Sequence, residues 1–288
     1  MKLFRFGTPN RELPGLVDQA GIARDLSTLI KDYDERFFGE GGLSFLGSLS
    51  VLEMDRFPVV QLEQVRLGSP VARPSKIIGI GLNYADHAAE TQAQLPLEPK
   101  IFMKATSALC GVYDDLLLPR GSQCTDYEVE LACVIGRRAN YVPEERAWDY
   151  VAGLTICNDF SERDYQKNRS GQFVKGKSAD TFAPLGPFLV TPDVSRLEDT
   201  RLWCSVNGEL RQDERTSQMV FKVPQLIACL SQYMSLLPGD VITTGTPAGV
   251  GMGRTPAVYL RDGDVVEYGI DGIGCGRQQV VGQTTSAG

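Results

Sequence analysis

The chain has 288 residues, of which 42% are hydrophobic and 23% are charged, with 29 Lys and Arg against 36 Asp and Glu. This composition allows a sizeable buried core, so it excludes disordered and fibrous proteins. The formal net charge of -7 disfavours nucleic acid as a partner, because binding to a phosphate backbone depends on cationic side chains.

The cysteines and the apolar runs of the sequence indicate the cellular compartment of the protein. The seven cysteines are odd in number and form no C-x-x-C pair, which disfavours a disulfide framework and a zinc-thiolate site. Arg11 and Glu12 precede any long apolar run, unlike in a signal peptide. The least charged long stretch, 223–239, falls short of the roughly 20 apolar residues of a membrane span. We therefore expect a cytoplasmic protein without a membrane partner.

The first part of the chain is expected to form a separate small unit. Residues 1–67 contain turn signals and short mixed segments, without a catalytic constellation. Two prolines within 68–74 disfavour a helix and remove backbone donors, which indicates a domain boundary near residue 70. The sequence thus predicts a small N-terminal domain over 1–70 and a catalytic domain over 71–288.

Short strands predominate after residue 70. Apolar and β-branched runs predict strands at 76–82, 126–136, 151–157 and 241–244. Helix formers and apolar periodicity predict helices at 83–90, from Phe160 onward, and at 223–237. Asn207-Gly208 is typical of a type I′ hairpin turn. The pattern indicates a mostly β protein with short helices, of the α+β class.

Two glutamates in the strand at 126–136 suggest a metal site. A period of two places Glu128 and Glu130 on one face, where they repel each other unless a cation or water lies between them. Their neighbours are apolar, so a divalent cation would supply the compensation. With Asp159 as a third ligand, the set suits Mg²⁺ or Mn²⁺ and is poor for Zn²⁺. The E-x-E pattern alone also fits a solvated strand face.

The chain has a single histidine, His87. An imidazole general base near neutral pH can therefore only be this residue. Glu90 lies three positions later and shares its helix face. Taken singly, these two residues and Lys177 also fit a surface histidine, a solvated helical position and a loop lysine. Walker-type and serine-hydrolase sites are unsupported, because the motifs that define them are missing.

Six blocks of sequence, taken in order, resemble the catalytic domain of the fumarylacetoacetate hydrolase family over about residues 74–282. These blocks are GLNYADHAAE, PKIFMKATSA, DYEVELACVIG, NDFSERDYQ, GKSADTFAPLGP and DVITTGTPAGVG. The resemblance implies a mixed β-sandwich or roll that binds Mg²⁺ or Mn²⁺ and forms a homodimer.

The resemblance also implies a role for each matching residue. The metal ligands that it implies are Glu128, Glu130 and Asp159. The catalytic residues that it implies are His87, Glu90 and Lys177. The substrate-binding residues that it implies are Arg163, Gln166 and Thr246.

The expected activity follows from the same resemblance. The chain length and the opening segment look like a bacterial subgroup that includes 2,4-diketo-3-deoxy sugar-acid hydrolases. We expect a hydrolase acting on carbon–carbon bonds in ketonic substances, which cleaves a small anionic 2,4-diketo acid to pyruvate and a carboxylic acid. Alternatives on the same fold are an oxaloacetate-type decarboxylase and a ureidoglycolate lyase or isomerase. A more distant alternative is a non-catalytic, cation-dependent binding module.

Overall fold

The computed structural model describes residues 1–191 and 199–282. Within these ranges strands predominate and helices are short, which confirms the predicted class. The strands are β1 (Lys2–Phe6), β2 (Leu13–Val17), β3 (Ala23–Asp25), β4 (Leu67–Gly68), β5 (Ile77–Gly81), β6 (Lys100–Lys104), β7 (Leu109–Gly111), β8 (Leu116–Leu117), β9 (Thr125–Asp126), β10 (Val129–Ile135), β11 (Val151–Asn158), β12 (Ser161–Glu162), β13 (Ala183–Val190), β14 (Arg201–Val206), β15 (Glu209–Arg215), β16 (Val241–Thr243), β17 (Val265–Ile270) and β18 (Gly274–Val281).

The helices are mostly one or two turns long. The α-helices are α1 (Glu35–Gly39), α2 (Gly42–Ser48), α3 (Val51–Met54), α4 (Ala85–Glu90), α5 (Phe173–Lys177) and α6 (Val223–Tyr233). Tighter turns of 3-10 type lie at Leu62–Gln64, Thr106–Ala108, Glu144–Tyr150, Thr216–Gln218 and Gly251–Gly253. Among the helices of the described ranges, none is long and apolar enough to cross a membrane.

Two large sheets form the body of the protein. The larger has the strand order β3-β2-β1-β13-β11-β10-β16-β5-β6, and the smaller has the order β15-β14-β17-β18-β8. Both sheets mix parallel and antiparallel pairs. β10 and β11 of the larger sheet pack against β17 of the smaller one, and their buried side chains belong to one hydrophobic core. This packing is that of the expected mixed β-sandwich.

The order of strands in the larger sheet gathers several strand ends at one edge. β5 and β16 run parallel, whereas β10 is antiparallel to β16 and to β11. β5, β16 and β11 therefore end where β10 begins. The chain segments that follow or precede these ends carry the polar residues that the sequence singled out.

The N-terminal region joins the larger sheet directly. β1 pairs with β13, with Leu3 opposite Leu189. Arg66 then links Glu12, at 2.9 Å, to Asp114, at 2.6 Å, across the predicted boundary. Division of the chain at residue 70 stays a prediction, and refolding of a 71–288 fragment tests it.

Most of the predicted elements are present, but the helix predicted from Phe160 is wrong at its start. Ser161 and Glu162 form β12, which pairs with β9, and a π-helical turn follows at Asp164–Asn168. The Glu162 carboxylate accepts hydrogen bonds from the hydroxyls of Ser122 and Thr125, far earlier in the chain. These distant partners hold the segment extended despite its helix-forming residues.

Burial in β11 allows a stability prediction. Ile156 lies in the middle of that strand and its side chain has no solvent exposure. We expect Ile156→Ala to lower the free energy of unfolding by about 2–5 kcal/mol, because the substitution leaves a cavity in a packed core. Leu97→Ala, at a fully exposed position, is the matched control. It should change the free energy of unfolding by less than about 0.5 kcal/mol. Urea denaturation measures both values.

Candidate metal centre and active site

Three carboxylates meet where β10 begins and β11 ends. Glu130 lies in β10, Glu128 directly precedes that strand, and Asp159 directly follows β11. One oxygen from each carboxylate lies within 4.8 Å of the others, and all three side chains are buried. The antiparallel pairing of Val129 with Asn158 brings the three residues together. They form a cluster that could hold a metal ion.

Glu128 is held ionised by two cations. Its oxygens lie 2.7 Å from the guanidinium of Arg163 and 2.6 Å from the Lys177 ammonium group. Burial alone would raise the pKa of Glu128, but the attraction of Arg163 and Lys177 outweighs it and lowers the pKa well below its usual range. Glu128 is therefore available as a charged ligand.

Glu130 differs, because it forms no ion pair within the described ranges. Its carboxylate accepts one hydrogen bond, from the Gly245 amide at 2.8 Å. Burial and the negative charges of Asp159 and Glu128 raise its pKa well above 4.5. A divalent cation between the three carboxylates would compensate this charge, and all-oxygen donors suit Mg²⁺ or Mn²⁺. The residues present therefore fit such an ion.

Lys104 is a site residue that the sequence interpretation missed. It is fully buried, forms an ion pair with Asp159 and donates to the Phe160 carbonyl at 3.2 Å. Lys177 contacts the other oxygen of Asp159 at 2.6 Å. Two lysines thus orient this one carboxylate. The alternation of the KIFMK segment was the available signal, because it places Lys104 on one strand face with Lys100.

His87 and Glu90 lie on one face of α4, as the spacing predicted. The Nδ1 atom of His87 is 2.8 Å from one Glu90 oxygen. Since a carboxylate accepts at that position, Nδ1 carries a proton, and in the neutral imidazole the lone pair is on Nε2. The ring faces the same cavity as Glu128 and Glu130.

A glycine-rich loop connects the histidine pair to the carboxylates. The Gly245 amide donates to Glu130, and the Gly249 amide donates to the second oxygen of Glu90 at 2.9 Å. A side chain at Gly253 would have its Cβ only 2.4 Å from Glu90. A side chain at this position would push the Glu90 carboxylate, which contacts His87, out of its present place.

The predicted substrate-binding residues surround the cluster. Arg163 contacts Asp126 at 2.8 Å as well as Glu128, and it donates to Gln166 at 3.1 Å. The Thr246 hydroxyl donates to the Val129 carbonyl at 2.9 Å. Asp126, which the sequence interpretation did not identify, also accepts hydrogen bonds from the amides of residues 251 and 252. It therefore fixes Arg163 relative to the glycine-rich loop.

A cavity of about 140 Å³ collects most of these groups. The predicted site residues that line it are His87, Glu128, Glu130, Arg163, Gln166, Lys177 and Thr246. Glu90 and Asp159 lie behind them, in contact with His87 and Lys177. The structure thus brings all nine predicted residues to one place, while their individual roles stay predictions.

Glu90 offers a test of the histidine pair. In Glu90→Gln the amide can still contact Nδ1, but it no longer favours the imidazolium that forms when His87 takes a proton. We expect the turnover of the Mg²⁺-loaded enzyme to fall by about 10- to 100-fold. Mn²⁺ affinity, measured by calorimetry, should stay within about twofold, because Glu90 does not belong to the carboxylate cluster. A turnover equal to wild type would contradict this role.

Comparisons with known proteins identify the family of the chain. The family model described as fumarylacetoacetate (FAA) hydrolase C-terminal matches residues 76–281. A Burkholderia cenocepacia protein provisionally named a hydrolase is 50% identical over 95% of this chain and 96% of its own.

Two solved structures are similar over nearly the whole chain. A maleylpyruvate hydrolase from Sphingobium sp., in complex with manganese(II) and pyruvate, is 30% identical with a TM-score of 0.81, covering 99% of this chain and 100% of that one. A 5-carboxymethyl-2-hydroxymuconate delta-isomerase from Mycobacterium smegmatis is 35% identical with a TM-score of 0.77, at the same coverage of 99% and 100%. The motifs, the fold and these matches together establish that the chain belongs to the fumarylacetoacetate hydrolase family.

Proposed function

We propose that the protein is a divalent-cation-dependent hydrolase that cleaves a 2,4-diketo acid to pyruvate and a carboxylic acid. The observation that supports this proposal is the shared cavity, which is lined by His87 and by two members of the carboxylate cluster, Glu128 and Glu130. The similar Sphingobium enzyme, named for maleylpyruvate and bound to manganese(II) and pyruvate, supports the same class of substrate.

Glu128, Glu130 and Asp159 would hold Mg²⁺ or Mn²⁺. When bound, such an ion supplies Lewis-acid chemistry that favours the enolate of a 2-oxo acid. Arg163 and Lys177 add positive charge beside the carboxylates, so that an anionic substrate can enter an otherwise acidic site.

His87 acts as the general base. It takes a proton from water as the water oxygen bonds to the 4-oxo carbon of the substrate, which contributes roughly 10²–10⁴ in rate. Glu90 stabilises the resulting imidazolium through Nδ1. The C3–C4 bond then breaks, its electron pair passes to the pyruvate fragment as an enolate, and a proton is added to C3. The other fragment leaves as a carboxylic acid.

Lys177 stabilises the oxyanion that develops on the 4-oxo group. Burial lowers the pKa of Lys177, but Asp159 and Glu128 outweigh burial and raise it above its ordinary value. The side chain therefore remains an ammonium group. It lies beside the carboxylate cluster and lines the cavity, where its charge stabilises an oxyanion.

Isomerisation is the second candidate function. The Mycobacterium smegmatis protein that is 35% identical is named an isomerase. Isomerisation would need the same enolate stabilisation but consumes no water. Incorporation of ¹⁸O from labelled water into the carboxylic acid product distinguishes hydrolysis from this alternative.

A panel of acylpyruvates and 2,4-diketo-3-deoxy sugar acids tests the proposal. With Mg²⁺ present, we expect at least one of them to release pyruvate, detected by a coupled lactate dehydrogenase assay, and chelation of the metal to abolish the release. Isomers without pyruvate, or carbon dioxide, would contradict hydrolysis. The homodimer expected from the family resemblance stays a separate prediction, which light scattering tests.

A further inference from the structure

Strand β15 lies at the edge of the smaller sheet and places one polar side chain in the interior. Gln212 is 1% exposed, whereas the other residues of the strand are exposed or half-buried. The pairing of β15 with β14 skips Arg211, the residue directly before Gln212, and so contains a β-bulge. Bulges re-aim a side chain and are frequent next to functional sites. A buried amide in an otherwise exposed strand has to be explained by its hydrogen bonds.

The Gln212 amide closes a ring of hydrogen bonds with Val129 and Thr246. Its Oε1 accepts from the Val129 amide at 3.1 Å, and its Nε2 donates to the Thr246 hydroxyl at 2.8 Å. The Thr246 hydroxyl donates in turn to the Val129 carbonyl at 2.9 Å. Nε2 also donates to the Pro247 carbonyl at 2.9 Å. The amide thus has an acceptor for each proton and a donor for its oxygen, which fixes its orientation.

Val129 is the residue that separates two of the predicted metal ligands, Glu128 and Glu130. Its N–H belongs to the peptide group after Glu128, and its C=O belongs to the peptide group before Glu130. Strand β16 pairs with β10 at residues 132–134, so none of its residues lies opposite Val129. The two side chains of the ring supply the hydrogen bonds there instead. The ring therefore holds both peptide groups between the two carboxylates.

The glycine-rich loop that carries Thr246 packs against the same strand. A Cβ atom at Gly249 would lie only 2.0 Å from the Arg211 carbonyl oxygen, so the loop and the strand touch beside Gln212. The amide of Gly249 in turn donates to Glu90. Strand β15 therefore supports both the strand that carries the metal ligands and the loop that faces it.

We propose that Gln212 is a positioning residue for the metal site. It holds the backbone between Glu128 and Glu130, and thereby sets how the two carboxylates meet a divalent cation. Gln212 acts through the Val129 backbone and the Thr246 hydroxyl, since it does not itself line the cavity. Hydrogen bonds that are joined in this way polarise one another, so the loss of one weakens the others. This inference rests on the proposed function, because it requires a cation at the carboxylates, and it adds the smaller sheet to the site.

Binding of Mn²⁺ to Gln212→Met tests the inference. Methionine has nearly the same length as glutamine but offers no amide group, so the ring opens. We expect the affinity for Mn²⁺, measured by titration calorimetry on the full chain, to fall by about 10- to 100-fold, which is the loss usual when a contact that orients a metal ligand is removed. Hydrogen exchange of the Val129 amide should become faster in the metal-free variant, because that amide loses its acceptor.

Gln278→Met is the matched control. Gln278 is also fully buried and lies in β18 of the same sheet. Its amide accepts from the Tyr268 hydroxyl at 2.7 Å and donates to the Asp114 carbonyl at 2.9 Å, and neither of these partners lines the cavity. The control loses buried hydrogen bonds as well, so its thermal midpoint should fall. Its affinity for Mn²⁺ should stay within about twofold of wild type, because it shares no partner with the ring.

Thr246→Val opens the same ring from its other side and decides the question if Gln212→Met does not fold. Valine keeps the branched shape of threonine but cannot donate to Val129 or accept from Gln212. We expect a loss of Mn²⁺ affinity of similar size. The double variant should bind Mn²⁺ within about threefold of the weaker single variant, because residues of one hydrogen-bonded network are not additive.

Three results would overturn the inference. They are wild-type Mn²⁺ affinity in either ring variant, equal weakening of Mn²⁺ binding in Gln278→Met and Gln212→Met, or losses that multiply in the double variant. A wild-type protein that binds no Mn²⁺ would reject the metal site of the proposed function itself. Wild-type binding that neither ring variant weakens would reject only the role of Gln212 and leave the proposed function intact.

Discussion

Replacing His87 by alanine is expected to reduce turnover of a cleaved 2,4-diketo acid by about 10²–10⁴-fold. The reason is that the His87 imidazole lines the cavity together with Glu128 and Glu130, while Glu90 accepts a hydrogen bond from its Nδ1. The sequence contains no second histidine that could replace it. Steady-state kinetics with saturating Mg²⁺ measure the loss.

Two controls separate chemistry from structure in the His87→Ala variant. The affinity for Mn²⁺ should change little, because His87 lies outside the carboxylate cluster. Added imidazole should restore part of the turnover, since it can occupy the space of the lost ring. Wild-type turnover in His87→Ala would show that another group, or no base at all, activates the water.

Replacing Glu130 by glutamine is expected to raise the thermal stability of the metal-free protein and to lower that of the metal-loaded protein. The Glu130 carboxyl is buried, and burial together with Asp159 and Glu128 raises its pKa well above 4.5. A raised pKa means that ionisation costs stability in the folded state. This cost is absent below pH 4.5 and increases as the pH rises through the raised pKa. At neutral pH without metal, the variant should therefore melt higher than wild type by about 2 °C or more.

With Mn²⁺ present, we expect the Glu130→Gln variant to melt at a lower temperature than wild type. Glutamine supplies a neutral oxygen in place of a charged ligand. We therefore expect the affinity for Mn²⁺ to fall by more than about 100-fold, which exceeds the loss usual when a residue that only contacts a metal ligand is replaced. Calorimetry measures the affinity, and thermal unfolding with Mn²⁺ shows the lost stabilisation. Glu144→Gln, at an exposed position, should change neither value. If Mn²⁺ stabilised Glu130→Gln as much as wild type, the cluster would not be the metal site.

These two variants change two residues that line one cavity and for which different roles are proposed. The His87 variant removes a base and retains the ligands. The Glu130 variant removes a ligand and retains the base. Residues that share a reaction do not act independently on turnover. Turnover of the double variant should thus resemble that of the more severely affected single variant.

Local patterns were sufficient for much of the fold. The apolar runs predicted the strands that the structure has at Ile77–Gly81, Val129–Ile135 and Val151–Asn158. Asn207 and Gly208 have the positive φ values, 53° and 77°, that their turn type requires. Such features depend on a few neighbouring residues, and the backbone preferences of those residues determine them.

The sequence by itself determined the family, the β-rich class and the nine candidate residues, because ordered motifs and residue chemistry are linear information. Only the tertiary structure decided which charges are neutralised. Lys104 is buried against Asp159, 55 positions away, whereas Lys100 and Lys167 line the same cavity and form no ion pair with any residue that the structure describes. Ion pairing depends on distance in space and on desolvation, and neither quantity can be read from spacing along the chain.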